Sequence, residues 1–372
     1  MNANLVSNDP AKRESRVIRV LIVGDSLMIN NLFKAMLDGL PDIQVVGEAT
    51  NGQDAIRMAL RLRPNIITMD IRMPQMDGLE AIHQIMSIEP IPIVVVSSSV
   101  YAGDYNIAFN AIEAGALTVI EKPKGLDEKD YDSVREQLIT SIRTLSGVKL
   151  ILRPHKKADH PANIGSKTAM LHSYVLRAVQ VVAIASSTGG PPVLAQILSS
   201  LPDDFSIPIL IVQHNLPAFM PAMVEWLSTR TKMPVSMVED GRQMKNGHVY
   251  IAPGDAHITV TADRTLHIDQ SPFVKGNHPS ATRLFQSVAS AFGKNSIGIV
   301  LTGMGDDGAD GLVDMVAAGA YIMVQDEISS VVFGMPKAAI DRNLADEILS
   351  PEEMVTRLTK LHHHMNSSHK VG

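Results

Sequence analysis

Short apolar runs alternate along the chain with longer stretches in which apolar residues recur every three or four positions. The first pattern predicts buried strands and the second amphipathic helices. Strands are expected over Ile18–Val23, Gln44–Glu48, Asn65–Asp70, Ile91–Val96 and Leu117–Ile120. Between and after them, helices fit Leu27–Leu40, Gly52–Arg63, Gly78–Met86, Ile107–Ala114 and Tyr131–Leu145. Gly115 falls where a helix C-terminus needs a left-handed residue. The alternation stops between Ser146 and Arg177, where Pro154, Pro161 and Gly165 break the pattern and Asp159 is the one acid among several basic residues. This stretch reads as a linker. Alternation resumes with strands over Val179–Ala185, Ile207–Gln213, His248–Ala252, His257–Thr261, Ile297–Leu301 and Tyr321–Gln325. Helices fit Val193–Leu201, Ala218–Thr229, Ser280–Phe292, Gly308–Ala318 and Met335–Arg342, and some of the short strands are expected to run antiparallel. Strand–helix alternation of this kind builds parallel, doubly wound sheets. The chain is therefore expected to hold an α/β domain over 1–145, a basic linker over 146–177 and a second α/β domain over 178–372.

Composition narrows the function. A length of 372 residues suits two domains, and 45% hydrophobic with 19% charged residues is ordinary for a soluble globular chain. A net charge of −6, with no helix-turn-helix pattern near the end, argues against nucleic acid as a partner. The absence of cysteine excludes disulfides and thiolate metal sites. Met1 to Asp9 is polar, unlike a signal peptide, and the apolar runs are far shorter than the ~20 residues of a membrane helix. A cytoplasmic location, no membrane insertion and a monomer are the expectations. His362 to His364 is expected to be a solvated helix end, not a metal site.

In parallel α/β sheets, functional groups collect at the carboxyl ends of the strands. In the first half these positions hold Asp25, Asp70, Ser97 and Lys122. Two carboxylates, a hydroxyl and an ammonium suit a divalent cation and a phosphoryl group, with a carboxylate as the acceptor. The runs "MDIRMPQMDGLEAI", "VSSS" and "EKP" resemble the receiver domain of bacterial response regulators, which has a flavodoxin-like fold. The resemblance covers about Val17 to Leu145. It implies Asp70 as phosphoacceptor, Mg²⁺ held by Asp25, Asp70 and the Arg72 carbonyl, and phosphoryl contacts from Ser97 and Lys122. It also implies a sensor histidine kinase as phosphodonor. Two positions depart from the pattern: Gly24 stands where receivers carry a second acid, and Val119 where many carry an aromatic switch residue.

The same strand-end test in the second half finds Ser187 in "AIASSTGGPP", His214 in "IVQHNLP" and Asp307 in "LTGMGDDGADG". Alone, "SSTGG" reads as a polar loop or an anion site at a helix start, more readily than as a nucleophile, and "GDDGADG" is only faintly like a calcium loop, lacking a distal acidic anchor. Serine, histidine and aspartate on separate strand ends of one sheet can converge for nucleophilic acyl transfer. The helix start after Gly190 is expected to aim backbone N–H groups at the developing oxyanion. With "IAPGDAHI" between them, these motifs resemble the chemotaxis protein-glutamate methylesterase family over about Val179 to Leu361. That resemblance implies hydrolysis of glutamate γ-methyl esters on methylated chemoreceptors, with methanol released and receptor glutamines deamidated, and no cofactor for the esterase step. Thr188, Gly189 and Met304 are expected at the oxyanion site or pocket, and His257 is expected either to line the pocket or to hold a structural role. Ala185 stands where the family has glycine. The alternative reading is a receiver joined to a catalytically silent docking domain.

Overall fold

The computed structural model describes residues 17–97, 104–123, 128–148, 179–215 and 217–368. Nearly all of the expected linker lies outside them. The described residues form two compact units, each built on one main sheet.

The first sheet contains β1 (Ile18–Val23), β2 (Ile43–Ala49), β3 (Ile66–Asp70), β4 (Ile93–Ser97) and β5 (Thr118–Glu121), in the order β2-β1-β3-β4-β5. All pairings are parallel. Helices α1 (Leu27–Leu37), α2 (Gly52–Leu62), α3 (Gly78–Ile88), α4 (Asp104–Glu113) and α5 (Glu128–Leu145) connect or follow the strands. Every residue of β3 and β4 is buried, as expected of central strands covered on both faces. Side chains of Ser26, Asn51 and Asp77 cap α1, α2 and α3 by accepting backbone N–H groups. The strand order reverses between β1 and β3, and it is at such a switch point that open α/β sheets form their crevice.

The second unit contains β6 (Val181–Ser186), α6 (Gly190–Ser200), β7 (Ile209–Gln213), α7 (Met220–Ser228), β8 (Val235–Met237), β9 (Arg242–Gln243), β10 (Val249–Ile251), β11 (His257–Val260), β12 (Thr265–Asp269), α8 (Ala281–Phe292), β13 (Ser296–Val300), α9 (Ala309–Ala317), β14 (Tyr321–Gln325), α10 (Met335–Asp341), β15 (Glu347–Leu349) and α11 (Pro351–Ser368). Seven strands form a parallel sheet in the order β15-β14-β13-β6-β7-β10-β8. The strands β11-β12-β9 form a small antiparallel sheet, as the short runs suggested. Alternate residues of β6, among them Ala185, join side chains of α8 and β14 in one continuous core. The methyl of Ala185 is therefore packed in that core, where the family pattern has glycine.

The triple histidine needs correction. It belongs to α11, whose Met354, Leu358 and Leu361 are buried at helical spacing. His362 continues that apolar face and is fully buried, with Nδ1 3.5 Å from the Ser206 hydroxyl, Nε2 3.5 Å from Asp204 and its ring against Phe205. His363 and His364 are exposed as expected.

Candidate active site and phosphoacceptor site

Strands β6 and β7 run side by side with Ser186 opposite Gln213. Ser187 and His214 therefore leave neighbouring strand ends together, and the His214 N–H donates to the Ser186 carbonyl at 3.0 Å. On the other flank of β6, β13 feeds the loop that carries Asp307, and the Ser187 N–H donates to Thr302 O at 3.1 Å. The His214 ring binds Asp307 through Nε2, 2.8 Å from Oδ2. That leaves Nδ1 as the nitrogen available to Ser187. Among the described residues the Ser187 hydroxyl makes no hydrogen bond to His214; such bonds often tighten only when substrate is bound.

Asp307 is 4% exposed and surrounded by donors. Its Oδ1 accepts from Ser280 Oγ (2.7 Å), Thr282 N (3.2 Å), Thr282 Oγ1 (3.0 Å) and Gly308 N (2.9 Å), and its Oδ2 accepts from Ala281 N (2.7 Å). Most of these donors open α8, so the carboxylate caps that helix from outside and meets its positive end. Burial alone would raise the pKa of Asp307. The donors, His214 foremost, outweigh burial and hold the carboxyl well below the usual carboxylate range.

The turn after Ser187 departs from expectation in one respect. Gly189 has φ +76° and caps α6 in a left-handed conformation; a Cβ there would lie 2.5 Å from Val331. The helix start beyond it cannot supply the expected oxyanion donors. Pro191 and Pro192 have no N–H. The Gly190 N–H is bound to Ser187 O at 2.8 Å, and the Ser187 N–H is bound to Thr302 O. What remains at this turn is the N–H groups of Thr188 and Gly189. Met304 lies on the β13–α9 loop, 40% exposed, next to Gly303, whose added Cβ would come within 2.8 Å of Ser187 Cβ.

Of the two roles expected of His257, its surroundings fit the structural one. It is fully buried behind the site, with Nδ1 accepting from Ser280 N at 2.9 Å and Nε2 3.2 Å from Pro272 O. Gln213 was not singled out from the sequence, yet it ties nucleophile and base together. Its Oε1 accepts from Ser186 Oγ at 2.6 Å, and its Nε2 donates to Ser187 O at 3.0 Å and to His214 O at 2.9 Å. The signal for it was a polar residue ending an otherwise apolar buried strand, "ILIVQ".

In the first unit, Asp70 ends β3 with 6% exposure and is ion-paired with Lys122 Nζ. Ser97 lies beside it at the end of β4, and Lys122 N donates to Ser97 O at 2.8 Å. The Arg72 N–H reaches Asp70 Oδ1 at 3.3 Å. Asp25 is exposed after β1. Burial pushes the Asp70 pKa up and Asp25 adds to this, against the opposing pull of Lys122. Gly78 is required here, because a Cβ would fall 2.1 Å from Asp70 O. The space beside Gly24 is taken by buried Asn30, whose Nδ2 donates to Gly24 O at 2.7 Å. A Cβ on Gly24 would lie 2.7 Å from Asn30 Oδ1 and 3.6 Å from Asp70 Cβ, so a side chain here would face the phosphoacceptor. Two carboxylates and a carbonyl are hard oxygen donors that fit Mg²⁺, which binds few protein carboxylates and keeps several waters. Among the described residues, no cluster of three or more acidic or histidine groups forms a fuller metal cage.

A family model described as response regulator receiver domain matches residues 20–129, and one described as CheB methylesterase matches residues 182–358. Protein-glutamate methylesterase/protein-glutamine glutaminase 4 of Myxococcus xanthus (strain DK1622) is 40% identical over 354 residues, covering 95% of this chain and 98% of that protein. Protein-glutamate methylesterase/protein-glutamine glutaminase 1 of Syntrophus aciditrophicus (strain SB) is 41% identical over 353 residues, covering 93% and 98%. The chain belongs to this methylesterase family. The resemblance read from the motifs is thereby borne out, and so is the α/β fold of both halves. Among solved structures, the Thermotoga maritima CheB methylesterase catalytic domain is 34% identical, covering 49% of this chain and 98% of that one, with a TM-score of 0.48. Among the described residues, no helix is long and apolar enough to cross a membrane.

Proposed function

We infer that the chain is a phosphorylation-regulated hydrolase that removes methyl groups from glutamate γ-methyl esters on chemoreceptors and deamidates receptor glutamines. The observation that carries this reading is the buried, donor-saturated Asp307 bound to His214 beside Ser187. A silent docking domain has no use for that arrangement, and family membership also favours the esterase.

Ser187 Oγ passes its proton to His214 Nδ1 and attacks the ester carbonyl. Asp307 stays ionised, fixes the ring through Nε2 and stabilises the imidazolium. The oxyanion forms against the N–H groups of Thr188 and Gly189, beside Met304. The imidazolium then gives its proton to the departing methoxide, and methanol leaves. A water molecule, deprotonated by His214, attacks the acyl-enzyme and releases the glutamate carboxylate, returning the proton to Ser187. With a glutamine side chain the same steps release ammonia.

In the receiver, Asp70 takes the phosphoryl group, Lys122 neutralises its oxygens and Ser97 donates a hydrogen bond to it. Asp25, Asp70 and the Arg72 carbonyl would hold Mg²⁺, which supplies positive charge against the phosphoryl oxygens. A sensor histidine kinase is the phosphodonor, and phosphorylation shifts the chain between less and more active populations. The protein works in the cytoplasm as a monomer.

The test is methanol release from methylated receptor membranes, with and without a small phosphodonor. Wild-type chain should release methanol faster with the phosphodonor. Ser187→Ala should lose several orders of magnitude in rate while keeping its fold. Methanol release by Ser187→Ala at a wild-type rate would sink the assignment of the nucleophile.

A further inference from the structure

We propose that His257 is a positioning residue for the catalytic aspartate, acting through Ser280. The proposal rests on the reading of Ser187, His214 and Asp307 as the reacting machinery, and it adds a link to which the mechanism gives no role.

His257 opens β11 and has no solvent-exposed surface. Hydrogen-bond directions fix its state. Ser280 N–H donates to Nδ1 at 2.9 Å, so Nδ1 carries a lone pair. The proton of the ring then sits on Nε2, which donates to Pro272 O at 3.2 Å. Both ring nitrogens are thus used by one neutral tautomer. Burial keeps it neutral by pulling the pKa below the ordinary histidine value, opposed by the Pro272 carbonyl and Asp269 and aided by His278 and Arg283. The His278 ring packs edge-on at 4.4 Å between centroids.

Ser280 is the residue that this histidine holds. It stands at the N-cap of α8, where a serine hydroxyl ordinarily bonds its own helix. Here the hydroxyl makes no such bond and points to Asp307 Oδ1 at 2.7 Å. The capping of α8 is left to Asp307 itself. The Ser280 backbone is anchored from behind by His257, and its side chain pins one carboxylate oxygen in front. With Oδ1 pinned, Oδ2 keeps its 2.8 Å contact to His214. The chain Pro272–His257–Ser280–Asp307–His214 thereby contributes to the rotation of the carboxylate, alongside the Thr282, Ala281 and Gly308 donors, and through it to the tautomer and direction of the general base. Small misplacements of such groups cost rate steeply.

The experiment compares full-length wild type, His257→Leu, His257→Asn, Ser280→Ala and the His257→Leu/Ser280→Ala double variant. Two rates are measured: methanol release from methylated receptor membranes, and covalent labelling of Ser187 by a fluorophosphonate, which reports nucleophile activation without any receptor. His257→Leu should lower kcat and the labelling rate about 10- to 100-fold with KM nearly unchanged. His257→Asn, whose Oδ1 can still accept from Ser280 N–H, should recover most of that loss. Ser280→Ala, a one-atom deletion that tests the chain even if His257→Leu fails to fold, should lose labelling about as much as His257→Leu. The double variant should lose little more than either single one, because both act on the same carboxylate. Ser280→Ala labelled at the wild-type rate would overturn the proposal, as would additive losses in the double variant or no recovery in His257→Asn. A wild-type chain that labels with the fluorophosphonate but releases no methanol would count against the receptor substrate and leave the positioning result to the labelling arm. A wild-type chain inert to both would overturn the esterase reading and this proposal together.

Discussion

At the scale of the residue, one rule found most of the chemistry: a polar side chain at the end of a buried parallel strand or just past it faces the crevice. Ser187, His214, Asp70 and Ser97 all obey it. Gln213 escaped because its role lies in three hydrogen bonds that no spacing reveals. His257 was noticed but left open between pocket lining and a structural role, since sequence cannot tell which face of a short strand meets the site. Gly24 gains an explanation that the sequence lacked. The room for a second acid exists only if Asn30 moves, because a Cβ at position 24 would sit 2.7 Å from its Oδ1. A carboxylate there would lie next to Asp70 and strengthen Mg²⁺ binding. It would also make Asp70 harder to ionise through like-charge repulsion. The metal effect should win, because phosphoryl transfer depends on the cation directly. Gly24→Asp combined with Asn30→Ala should therefore lower the Mg²⁺ concentration at half-maximal phosphorylation of Asp70 by a small phosphodonor. A Mg²⁺ titration checks it, and an unchanged midpoint would refute the argument.

At the scale of the element, the long strands and helices were readable because each carries its own periodicity. Four strands were not: β8, β9, β12 and β15 have two to five residues, and several lie at sheet edges where one face is polar. Of helix α11 only an end at the histidines was expected, although Met354, Leu358 and Leu361 trace an apolar stripe. The histidines after it drew attention to charge instead of period. The capping of α8 by Asp307 joins an element to the site and has a pH signature. The carboxyl has a folded pKa depressed below its unfolded value of about 3.9. Its stabilising contribution is thus full above that unfolded value and is lost as pH falls through the folded pKa. Asp307→Asn should be less stable than wild type from neutral pH down to about pH 4. The gap should narrow only below that, and urea unfolding at a series of pH values measures it. A gap that closed between pH 7 and pH 5 would contradict the depressed pKa.

At the scale of the whole molecule, every residue of the proposed triad and its supports lies after position 178, and the buried core cluster there draws only on residues from Val181 to Leu344. A chain starting near Ala178 should therefore fold cooperatively and label at Ser187 with a fluorophosphonate. It should not respond to a phosphodonor, whereas the full chain should. Circular dichroism, a thermal melt and the labelling rate decide this, and a truncated chain that melts without cooperativity would show that the second unit depends on the first. The two-domain division was expected from the sequence because strand–helix alternation stops and restarts. The span between, 149–178, lies outside the described residues.

The double duty of Asp307 makes the three catalytic positions unequal under mutational drift. Ser187 gives up one oxygen and His214 one ring, but loss of the Asp307 carboxylate also strips the start of α8 of its partners. A lineage that stopped needing the reaction would shed the serine or the histidine first and keep the aspartate for folding. In this architecture, retention of the aspartate is a record of stability, and only the serine and histidine testify to continued chemistry.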